Sequence, residues 1–64
     1  MSAAAATVTE FRDLIRLHRE HAAAAKTAGQ RLWADSHEAL ADGYTIALEV
    51  LEINMRFAGE EVPA

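Results

Sequence analysis

Three histidines, His18, His21 and His37, are the side chains of this 64-residue chain best suited to chemistry, because a neutral imidazole binds metal ions or moves protons near neutral pH. His18 and His21 stand three residues apart, so a helix makes them neighbours about 60° apart around its axis. His37 meets His18 only if the chain doubles back between them, with Glu20 or Glu38 then nearby. A zinc site wants three or four convergent ligands, and the chain has no cysteine to complete one. The three are therefore expected to be boundary-layer histidines, with no metal. No Ser-His-Asp set, glycine-rich phosphate loop or pair of carboxylates in an evident cleft is present either. The expectation is a protein without catalytic residues, cofactor or small-molecule substrate, and not an enzyme.

Arg12, Arg16 and Arg19 form a second constellation, a stripe at spacings of four and three on one helix. Such a stripe can contact phosphates. The formal charge of -4 argues against nucleic acid, since nonspecific affinity comes from neutralising phosphates with Lys and Arg. Pairing with Asp13, Glu20 and the acidic second half of the chain is the expected use of these arginines.

The elements that must position these groups are helical. Fifteen of the residues are alanine, and nothing alternates with period two. A composition 52% apolar and 25% charged, with one Pro and three Gly, is that of a folded and not a disordered chain. The longest uncharged runs, residues 1–9 and 43–48, are far short of the roughly 20 needed to span a bilayer. The start lacks the basic and bulky apolar regions of a signal peptide, so a cytoplasmic protein without membrane contact is expected.

Thr7 and Glu10 have the spacing of a capping box and predict a helix from Val8, with residues 1–7 flexible or frayed. Val8, Phe11, Leu14, Ile15, Leu17, Ala22 and Ala25 recur on one face. Thr27, Gly29 and Gln30 mark a turn at 27–30, and a second helix follows to about Ala58, capped by Gly59. Residues 59–64 are expected to be a disordered tail. Two other readings stay open: one continuous helix of about fifty residues, since the apolar phase carries through Gly29, or a turn at Asp35-Ser36, where Asp35 and Glu38 repeat the capping spacing.

With the turn centred at 27–28, His18 lies level with His37, Phe11 with Tyr44, Ile15 with Leu40 and Ala22 with Trp33, so Trp33 is expected to be a core anchor against Ala22 and Ala25, the alternative being a hot-spot residue for a partner. Residues 8–31 carry a balance of +2 and residues 32–64 one of -6, so the helices attract. A first helix of about 19 residues covers roughly 28 Å and a second of about 29 roughly 43 Å, so Glu49–Ala58 overhangs. Its apolar arc spreads over roughly 220°, beyond the ordinary stripe. Either the alanine-rich start adds helix to cover it or another chain does, and association is the reading adopted.

The expected fold class is thus all-α, an antiparallel helical hairpin that dimerises into a four-helix bundle. Leu40, Tyr44, Ala47, Leu48, Leu51, Asn54, Met55 and Phe57 form the expected oligomer or partner interface. Asn54 can pair with its mate to fix register, or bond to water, and Gly43 can admit a close helix or only be tolerated. The expected function is a protein-binding module, an adaptor, inhibitor or regulatory subunit of the kind phages also encode. In size and architecture, though in no sequence motif, such a dimer resembles the plasmid copy-control hairpins of the Rop fold. That resemblance implies the alternative, a dimeric nucleic-acid-binding regulator using the Arg12, Arg16, Arg19 stripe.

Overall fold

A computed structural model describes residues 2–64, and Met1 lies outside the described residues. Helix α1 spans Ala3–Thr27 and helix α2 spans Arg31–Phe57. They pack against each other as an antiparallel hairpin 45 × 17 × 15 Å in extent, with no strand among the described residues. Both the continuous helix and the turn at 35–36 are ruled out, since residues 28–30 break the chain and Asp35-Ser36 lies inside α2.

Two glycines set the ends. Gly29 has φ +75° and Gly59 φ +74°, a left-handed conformation that L side chains rarely adopt. Around each, the amide two residues past the last helical turn donates back across it: Gln30 N–H to the Ala25 carbonyl and Glu60 N–H to the Met55 carbonyl, both 2.8 Å. The glycine amides donate to Lys26 and Arg56, both 3.1 Å, completing the same paired cap at both C-termini.

The N-terminal expectation is corrected. Residues 3–7 are helix, not a frayed lead, because Ser2 caps them: its Oγ accepts from the Ala5 amide at 3.0 Å. Met1, the remainder of the expected lead, is outside the described residues. Thr7 and Thr27 are not caps. Their hydroxyls donate back to the carbonyls of Ala3 (2.9 Å) and Ala23 (3.0 Å) within the helix. The start of α2 at Gln30 has no side-chain cap bond.

With 25 and 27 residues, the helices match in length, so the overhang does not exist. The N-terminal turns of α1 lie on the C-terminal turns of α2: Ala4, Ala5 and Val8 pack in one cluster with Leu48, Leu51 and Met55. The tail folds back onto them. Val62 packs on this cluster, and the Ala64 carbonyl accepts from Arg12 Nη1 at 2.9 Å.

Burial recurs every seventh residue: Val8, Ile15 and Ala22 on α1, and Ala34, Ala41, Leu48 and Met55 on α2. Phe11 and His18, and His37, Tyr44 and Leu51, fall between them and are half-buried. Spacings of three and four that average 3.5 keep a seam on one side of a helix along its whole length. Small residues, Ala22, Ala25, Ala34 and Ala41, fill the seam near the turn, and Val8, Leu48 and Met55 fill the far end. The level pairs His18–His37 and Phe11–Tyr44 form as expected, the latter rings 5.5 Å apart. The pairs Ile15–Leu40 and Ala22–Trp33 do not. The buried residues are Ala41 and Ala34, one position on, so the seam keeps His37 and Tyr44 but is centred about 50° further around α2, which leaves Leu40 47% and Trp33 64% exposed.

Candidate functional site

Rotating α2 onto Ala34 and Ala41 redistributes the expected interface. Met55 and Leu48 belong to the hairpin's own core, and Tyr44 and Leu51 are half-buried against α1. Leu48, Leu51 and Met55 are covered with the help of the early start of α1, through Ala4 and Ala5, and Tyr44 by Phe11 and His18, which supplies from within the chain the cover that a second chain was expected to give. Leu40, Ala47, Asn54 and Phe57 stay exposed.

Exposed apolar side chains instead line the side of α2 turned away from α1. Leu32 is 83% exposed, Ile46 63%, Val50 53%, Ile53 50% and Phe57 89%. With Ser36, Ala39 and Gly43, also exposed, they form an unbroken series at steps of four and three: 32, 36, 39, 43, 46, 50, 53, 57. This is a second seam of period 3.5, and it lies about 150° around α2 from the first. One flank carries Asp35, Asp42, Glu49 and Arg56, and the other Trp33, Leu40, Ala47 and Asn54. Only the side bearing Glu38, Thr45 and Glu52 and the acidic flank are polar. An exposed apolar series of this length is the usual mark of an interaction surface. Sequence reasoning saw the breadth of the apolar arc but not its division into two seams, a division visible only once the phase of Ala34 and Ala41 is known.

The histidines come together as a cluster at the edge of the helix pair. His18 Nδ1 and His37 Nδ1 are 2.9 Å apart, with their rings stacked at 5.2 Å. Tyr44 stacks on the other side of His18 at 5.8 Å, and His21 meets His37 edge-on at 5.0 Å. Trp33 lies 6.3 Å from His37, so it flanks this stack and is not the expected core anchor. No group of three or more ligating side chains able to hold a metal is formed among the described residues.

The arginine stripe is largely occupied. Arg12 Nη2 lies 3.7 Å from Glu52, which also meets Arg56 at 3.6 Å, and Arg16 Nη2 is 2.9 Å from Asp13. Lys26 pairs with Glu38 at 3.2 Å. Two of these pairs join α1 to α2, as the opposite charge balances of the two helices require. Each is exposed enough to orient the helices and not to drive their packing. Arg19 lines a shallow hollow with Ala22, Lys26, Glu38 and Asp42.

No helix among the described residues is long and apolar enough to cross a membrane. Comparison with protein-family models, with curated proteins and with solved structures finds no match to this chain.

Proposed function

We propose that this chain is a small protein-binding module without enzymatic activity, a helical hairpin that works as an adaptor, inhibitor or regulatory subunit through the outer face of α2. The observation that carries this reading is the exposed seam Leu32, Ala39, Gly43, Ile46, Val50, Ile53 and Phe57 on a helix whose other seam is already filled by α1. Leaving five large apolar side chains in water is costly, at roughly 25 cal/mol per Å² of apolar surface, and a docked helix recovers that cost. The period of the seam calls for a helix as the docking element and not for a loop or a small molecule.

A photo-crosslinking residue placed at Ile53, and separately at the exposed Glu20 on α1, tests the reading in cells that make the chain. Adducts formed from position 53 and not from position 20 are the expected result. Identical adducts from both positions, or none from position 53, overturn it.

A further inference from the structure

We infer that the occupant of the outer α2 seam is a second copy of this chain, with its α2 laid antiparallel. The inference rests on the docking reading above and names the partner at that same face.

The seam is its own steric complement. Its C-terminal half is bulky, with Ile46, Val50, Ile53 and Phe57, and its N-terminal half is mostly small, with Ser36, Ala39 and Gly43 behind Leu32. Turning one copy end for end sets Ile46 opposite Gly43, Val50 opposite Ala39, Ile53 opposite Ser36 and Phe57 opposite Leu32. All four pairs fall in a single register. Large therefore meets small in three of the four layers, twice over by symmetry, which is how facing helices interdigitate at interior density. The apolar flank follows the same rule, with Leu40 of one copy beside Ala47 of the other. A parallel pair would instead stack the bulky halves on each other and leave the small halves gapped.

Charge is neutral to this arrangement and area agrees with it. On the charged flank, the same register places Arg56 of each copy near Asp35 of the other. Asp42 and Glu49 then approach near the middle, in exposed positions where salt screens them. The hairpin exposes 4555 Å², about 500 Å² more than the roughly 4,000 Å² of a compact monomer of its 7.0 kDa. The seam runs about 38 Å along an edge 15 Å deep and projects roughly 570 Å², toward the low end of the ~800 Å² that each partner gives to a standard interface. A two-fold, self-complementary patch is also the commonest way for identical chains to associate.

The chain has no cysteine, so engineered thiols report cleanly. Two single variants, Leu32→Cys and Phe57→Cys, are equilibrated in a glutathione redox buffer, separately and mixed. The expected result is a disulfide-linked species of twice the chain mass in the mixture alone, because Leu32 and Leu32 of two antiparallel copies lie about 38 Å apart. Homodisulfides in the separate samples, or no mixed disulfide, overturn the inference. Light scattering on the unmodified chain should give about 14 kDa, and Ile46→Arg should give 7.0 kDa with helicity unchanged by circular dichroism. A 7.0 kDa unmodified chain at 100 μM also overturns it. Crosslinks from position 53 to another protein would then still support the docking reading, whereas their absence as well would remove both.

Discussion

The Nδ1 atoms of His18 and His37 stand 2.9 Å apart across the helix pair, so a single N–H must serve both rings. One imidazole donates from Nδ1 and the other accepts there, which puts the two rings in different tautomers. Nitrogen chemical shifts should show one of the pair protonated at Nδ1 and the other at Nε2. Two identical tautomers would contradict the bond. Removing one member, as in His18→Leu, leaves a half-buried polar nitrogen without its partner and should cost about 1 kcal/mol. Replacing both by Leu should recover most of that, since an apolar pair leaves nothing unsatisfied. A thermodynamic cycle over the two singles and the double measures the coupling.

The cap at Ser2 decides how much of α2 is covered. Ser2→Ala removes the acceptor for the Ala5 amide and should destabilise the fold by about 1 kcal/mol, a fall of about 4 to 8 °C in the melting temperature at fixed protein concentration. Amide exchange should quicken first at Ala5 and Ala6. An unchanged melting temperature would mean that packing on Met55 and Leu51, not the cap, holds the first turn.

Met55 and Ile53 lie two residues apart with opposite roles. Met55 is buried against Val8 and the start of α1, so Met55→Ala should cost about 2 to 5 kcal/mol and leave the hairpin largely unfolded. Ile53→Ala should leave helicity almost unchanged and weaken only association through the outer face. Chemical denaturation of each variant, followed by circular dichroism across a dilution series, separates the two effects.

Two glycine substitutions should act with opposite signs. Nothing lies within 4 Å of a Cβ at Gly29 or Gly43, so space is not the issue at either. Gly29 holds a positive φ, and Gly29→Ala should cost about 1 kcal/mol or a little more. Gly43 lies inside α2 with no such requirement, and Gly43→Ala should stabilise the separate hairpin by about 0.5 to 1 kcal/mol. Melting temperatures of the two variants, each made together with Ile46→Arg so that the hairpins stay separate, check both signs in one experiment.

The sequence by itself determined the all-α class and the C-terminal end of α2, and it favoured a turn at 27–30 while leaving one continuous helix and a turn at Asp35-Ser36 open until the structure decided. These rest on local physics: alanine's helix propensity, the 3.5-residue recurrence, and the left-handed φ that only Gly29 and Gly59 adopt freely. The opposition of His18 to His37 followed from the turn position alone. Tertiary structure decided the start of α1, because Thr7-Glu10 and Ser2-Ala5 are both acceptable caps, and packing of Ala4, Ala5 and Val8 on Leu51 and Met55 selects the longer helix. It also decided the phase of α2. By size, Trp33 and Leu40 look like core and Ala34 and Ala41 do not, yet small side chains are what let two helices approach closely beside the turn. That half-residue shift of the seam turned Leu48 and Met55 inward and left Ile46, Val50, Ile53 and Phe57 as the surface available to a partner.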